Sequence, residues 1–175
     1  MPQSEGPLIE FQVRGRITLG TVRSSSVLSA RNVARFGEEV IAYVNAHPKL
    51  NLLLNFENVD YLSSAVLTEL LRIKGAVEHV TGNLRLCAVS PLIHKAFEIT
   101  NLDKVFVIHA DSAEQDVRRF ERALNVAAQE ATARTARGLL GVVTKANDQP
   151  TTDLLTQRLD VHEKTAWMLR SLLED

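Results

Sequence analysis

The chain is poor in cysteine, close to neutral, and without an apolar run long enough for a bilayer. Each shortage excludes something. A lone thiol, Cys87, cannot close an intrachain disulfide, which points to a reducing, cytoplasmic setting. Lys and Arg number 20 against 21 Asp and Glu, a formal net charge of −1, so no electrostatic reason exists to expect nucleic-acid binding. No stretch approaches the ~20 apolar residues of a membrane helix, so no membrane partner is expected. The opening Met-Pro-Gln-Ser-Glu-Gly-Pro has neither the basic nor the apolar region of a signal peptide, and residues 1–7 read as a flexible lead of a soluble protein. Chemistry is short as well. Gly15, Gly20, Gly75 and Gly82 form no phosphate-binding loop, and no Ser–His–Asp or Cys–His set is framed. His47, His79, His94 and His109 show no metal-ligand spacing. An enzyme is not expected, nor a bound metal or cofactor.

What is present is a chain 45% hydrophobic, enough for a real core, with strands alternating with helices. Leu8–Val13 and Arg16–Val22 read as strands around Gly15. Ser29 can cap a helix over 30–46 whose inner stripe is Val33, Phe36, Val40, Ile41 and Val44, ended by His47-Pro48. A strand over 50–56 leads to a helix from Ser64 to about Val80, stopped near Gly82. Leu84–Val89 is a further strand, with Cys87 as a small core residue. A short helix over 91–99, a strand at Val105–Ile108 and a helix from Ser112 follow. This pattern predicts an α/β fold. Residues 123–136 are rich in Ala, Thr, Gln and Arg and read as helical extension or linker. Asn147-Asp148-Gln149-Pro150 breaks that run before a last helix over 151–174.

The most informative stretch is 50–71, an apolar strand, a polar turn with Asn58 and Asp60, and two serines at the mouth of a helix. Val66, Leu67, Leu70, Ile73 and Val77 keep a 3.6-residue period behind them. The segment Val59-Asp60-Tyr61-Leu62-Ser63-Ser64-Ala65-Val66-Leu67 resembles the Asp-Ser-Ser-Gly-Leu region of STAS domains, the family of bacterial anti-sigma-factor antagonists. Without a gap, Ser63 takes the family's Asp position, Ser64 its phosphorylated Ser, Ala65 its second Ser/Thr and Val66 its Gly. Gly82–Pro91 and Ala96–Phe106 are similar to later strands and joins of the same fold, so the resemblance spans 8–120. It implies a STAS-like central β-sheet packed with α-helices, and a soluble regulator rather than the tail of an anion transporter. It also implies phosphorylation at Ser64, or alternatively Ser63, by an anti-sigma factor that is a serine-protein kinase. Tyr61, Leu62, Ser63, Ser64, Ala65 and Val66 would form the partner-binding surface.

The tail carries a second resemblance. Thr152–Glu174, and above all His162-Glu163-Lys164-Thr165-Ala166-Trp167-Met168-Leu169-Arg170, looks like the last helix of Dps proteins, the ferritin-like DNA-protection family. The expected organisation is therefore 8–120 STAS-like, 121–134 helical linker and 135–175 a Dps-like C-terminal helical extension or hairpin. The Dps family's iron ligands come from earlier helices that are absent here. His162 and Glu163, adjacent on a helix, point about 100° apart and do not chelate. Leu155, Leu159, Trp167, Leu169 and Leu173 are expected to drive a homo-oligomer through the C-terminal helices. The alternative function is thus an unphosphorylated STAS scaffold assembled by its tail, with an iron-related role resting on the tail alone.

Overall fold

The computed structural model describes residues 6–23 and 32–173. Apolar alternation near the start forms an antiparallel ribbon, β1 (Ile9–Arg14) against β2 (Ile17–Val22), with Ile9 opposite Val22. Gly15 sits in the turn at φ 60°, a backbone state that costs glycine nothing. β3 (Asn51–Asn55), β4 (Asn83–Cys87) and β5 (Val107–Ile108) add in parallel, so the sheet runs β1-β2-β3-β4-β5. Parallel neighbours need a crossover. Here α1 (Val33–Ala46), α2 (Ser64–His79) and α3 (Pro91–Ile99) supply the three crossovers in order. The expected α/β sheet is therefore present, and the predicted elements hold to within a few residues.

One continuous core joins these helices to the sheet. Val33, Phe36, Val40 and Val44 of α1 meet Val66, Leu70, Ile73 and Val77 of α2, Phe97 of α3, and Leu52, Leu54 and Leu86 of the strands. The alternate strand positions Leu53 and Cys87 are fully buried as well, so the centre of the sheet is covered on both faces. At Gly37 a Cβ would lie 2.1 Å from Glu69 Oε2, so only glycine lets α2 seat that carboxylate against α1. Glu69 is itself 9% exposed and accepts two hydrogen bonds from Arg72 at 2.8 and 2.9 Å.

The predicted cap Ser29 lies outside the described residues. The first described turn instead begins after Asn32.

From Ala113 the chain forms α4 (Ala113–Lys145), a single helix through residues 121–134, followed by α5 (Gln149–Ser171). Two compact units result, dividing between Val117 and Arg118, inside α4. Asp148 caps α5 by accepting from Thr151 N at 3.2 Å and Thr151 Oγ1 at 2.7 Å, with Pro150 in the first turn. In the second unit α5 folds back antiparallel to α4. Ion pairs Arg137–Glu163 and Arg170–Glu130 cross between them, and His162 hydrogen-bonds Gln129. Leu155, Leu159, Leu169 and Leu173 share the face of His162 and buried Ala166 and are half-buried. Half-burial on the face turned to α4 leaves them less surface to offer a second chain. Trp167 alone of that set stands out, at 70% exposure.

Candidate functional site

The serine pair is placed by an apolar strand that stops abruptly. Phe56, 1% exposed, donates its amide to Cys87 O at 3.0 Å and ends β3. The Asn55 side chain then holds the turn, accepting from Glu57 N at 3.0 Å and donating to Glu57 Oε2 at 3.1 Å. Asn58 ties it to β2 through Val22 O at 3.1 Å, and Val59 is buried again. The following segment is thus anchored at both ends, by Val59 before it and Val66 after it. Between these anchors Asp60 and Tyr61 are exposed and Leu62 is half-buried against the core.

Ser63 is the N-cap of α2, at φ −88° and ψ 163°, and its carbonyl accepts from Val66 N and Leu67 N. Its side chain does not cap. Ser63 Oγ is enclosed, with no hydrogen-bond partner among the described residues. Ser64 is the first residue of the helix, exposed, and its carbonyl accepts from Thr68 Oγ1 at 3.1 Å. Ala65 is exposed beside it. No acidic side chain lies in the first turn of α2. The two serines are therefore chemically unlike, one turned inward and one outward. This corrects two expectations. Ser63 cannot serve as the alternative phosphate acceptor without its hydroxyl leaving the interior. Val66, at 0% exposure, belongs to the core and not to a contact surface.

Elsewhere, Cys87 is enclosed, and burial first, then the carboxylates of Asp116 and Glu57, push its thiol far above the ordinary range. It is an inert core group. Among the described residues one trio could offer ligand atoms to a metal, His109, Asp111 and Asp116, all within 4.8 Å of one another. Each already takes part in other interactions. Sequence spacing did not reveal this grouping, because it depends on how the strand end and the first turn of α4 bend together. No helix among the described residues is long and apolar enough to cross a membrane.

With strand order, crossovers and serine turn in place, comparison with known proteins is decisive. The STAS domain profile matches residues 9–115. The chain belongs to the STAS domain family. A protein described as a proposed anti-sigma factor antagonist, BtrV of Bordetella bronchiseptica, is 30% identical over 98 residues, covering 56% of this chain and 83% of that protein. Among solved structures, a proposed anti-sigma factor antagonist of Thermotoga maritima superposes with a TM-score of 0.56 at 16% identity, over 63% of this chain and 92% of its own. A STAS domain protein of Planctomyces limnophilus gives 0.54 at 18% identity, over 61% and 93%. The anti-sigma factor antagonist SpoIIAA in its unphosphorylated form also gives 0.54, at 17% identity, over 65% and 96%. The chain is thus an anti-sigma-factor-antagonist-like STAS protein. The family match stops at residue 115, in the first turn of α4, so the hairpin lies outside it.

Proposed function

We propose that this STAS protein binds an anti-sigma factor with serine kinase activity through the surface around Ser64, and that phosphorylation of Ser64 releases it. The observation that carries this reading is an exposed hydroxyl at the first residue of α2, held between two buried anchors. A kinase needs such an oxygen to be reachable and fixed in place. A phosphate there adds roughly −1.5 to −2 charges, which the amides and dipole of a helix N-terminus accommodate. The domain would stay folded while the docking face becomes anionic and bulky. Tyr61, exposed Ala65 and the rim of Leu62 complete that face. One structural neighbour is described in its unphosphorylated form, which implies that a phosphorylated form of that protein exists.

Incubation of the full chain with its cognate anti-sigma kinase and ATP, followed by peptide mass spectrometry, tests the acceptor. Phosphate on 59–72 that disappears in Ser64→Ala is the expected result. An active kinase that leaves this peptide unmodified, or modifies it equally in Ser64→Ala, defeats the reading and favours an unphosphorylated scaffold. Ser64→Asp should weaken binding to the same kinase by roughly tenfold or more, about 1.4 kcal/mol.

A further inference from the structure

Two helices packed side by side leave two broad faces, and in this hairpin they differ sharply. One face holds a groove of about 360 Å³ between Glu130, Arg134 and Arg137 of α4 and Glu163, Trp167 and Arg170 of α5. Turning about each helix in the opposite sense from its inward stripe, at 100° per residue, reaches the other face. There α5 presents Leu154 (55% exposed), Val161 (56%) and Met168 (53%), with Leu172 (43%) at its C-cap. On α4 the same side carries Leu139 (51%) and, further round, Val142 (66%). Five large apolar side chains, Leu139, Leu154, Val161, Met168 and Leu172, therefore lie on one side of a polar hairpin, with Val142 turned away from α5. Single exposed apolar residues are ordinary, but several gathered on one side mark an interaction site.

We propose that this face is the contact surface for a second copy of the chain, the two hairpins closing into a four-helix bundle. Its size fits that occupant. A 23-residue helix is about 35 Å long and two helices are about 20 Å wide, so the face covers roughly 700 Å². A standard interface buries roughly 600–1,000 Å² per partner. Pattern points the same way. Leu154, Val161 and Met168 recur every seven residues, the repeat of a helix seam that meets another helix. On α4 the same side carries Ala128 and Thr132 level with Leu172 and Met168, and Leu139 level with Val161. A two-fold axis running along the helices sets each α5 over the other copy's α4 at the same level, so Val161 meets Leu139 while Met168 and Leu172 meet small residues. A closed, self-complementary contact of this kind does not propagate into fibres. It leaves the Arg- and Trp-lined groove open on the outside, and it is independent of Ser64.

Sedimentation velocity on the full chain over a wide concentration range tests this. The expected species is twice the 19.4 kDa of the monomer at the higher concentrations. Val161→Glu and Leu154→Lys should each raise the dimer dissociation constant at least ~10-fold with helicity retained by far-UV circular dichroism. If one of these loses helicity, the other decides. Trp167→Ala, on the opposite face, should leave the dimer intact. A wild-type chain that stays at 19.4 kDa overturns the proposal, as does a dimer indifferent to Val161→Glu and Leu154→Lys, or one dissociated by Trp167→Ala.

Discussion

The sheet domain and the hairpin are both built from amphipathic elements, yet only the first encloses its apolar surface. In the domain the fully buried side chains are large, among them Phe36, Phe56, Phe97, Leu52, Leu70, Ile73 and Leu86. Among the described residues of the second unit, those buried are Phe120 and Val126 near its start and then only alanines, 133, 136 and 166. A helix in the domain has a sheet beneath it and a neighbour beside it. Within the hairpin each helix has only the other beside it, and large apolar residues of both stay exposed. Equal helix propensity thus gives one region with a finished core and one with an unfinished face.

The largest effects should separate the two regions by stability. Phe97→Ala removes a ring stacked edge-on with Phe106 at 5.7 Å between centroids, and should cost about 3–5 kcal/mol in urea unfolding followed by circular dichroism. Leu169→Ala, half-buried in the hairpin seam, should cost about 1 kcal/mol. If the two losses are equal, the hairpin is packed as completely as the sheet and the contrast is wrong. Next in size is Gly37→Ala. Its methyl must displace the Glu69 carboxylate, a crowding cost of about 1–3 kcal/mol. The double change with Glu69→Ala should recover part of that loss; no recovery would mean that crowding at Glu69 is not its source.

Much of this was legible beforehand, for reasons that differ along the chain. The boundaries of α2 and α3 could be read because the polar turn before Ser64, the Gly82 stop and Pro91 are local signals whose physics acts within one turn, although the Ser63 side chain does not make the cap its position suggests. The sheet could be read because Leu50–Phe56 is too apolar to lie anywhere but inside. Orientation was not legible. Nothing in the Ser63-Ser64 pair says which hydroxyl turns inward, since that depends on how Leu62 and Val66 seat in a core assembled from distant strands. The seam of the hairpin was not legible for a related reason. Its apolar residues surround more than half of α5, and the sequence cannot tell which of two stripes, that of Leu155 and Leu159 or that of Leu154 and Val161, meets α4. The trio His109, Asp111 and Asp116 follows no periodicity and emerges only from the bend before α4.

A smaller effect sharpens the comparison at the regulatory surface. Ser64→Asp changes an exposed residue in a first turn without acidic neighbours, so unfolding free energy should move by less than about 0.5 kcal/mol. Ser63→Asp puts a charge where an enclosed hydroxyl now sits and should destabilise by more than 1 kcal/mol, on the order of the cost of an unmatched buried polar group. Equal tolerance at both positions would erase the inward–outward distinction on which the choice of acceptor rests.

The smallest effect belongs to the hairpin, whose ends must hold without a finished core behind them. The hydroxyl of Thr151, then its amide, hydrogen-bonds the Asp148 carboxylate and keeps its pKa below the usual value. A carboxyl depressed in the folded state stabilises it above the unfolded pKa of about 3.9, and that support is lost as pH falls through the lower folded value. The Thr151 amide should therefore shift in an NMR titration with a midpoint below about 3.9, and the start of α5 should fray only under acid. In Asp148→Asn the amide oxygen can still cap but has no proton to gain, so the acid-induced fraying should vanish. A wild-type midpoint at the ordinary carboxylate value would mean the cap is not held in solution. The turn between α4 and α5 would then rest on Asn147, at φ 58°, and on Pro150 alone.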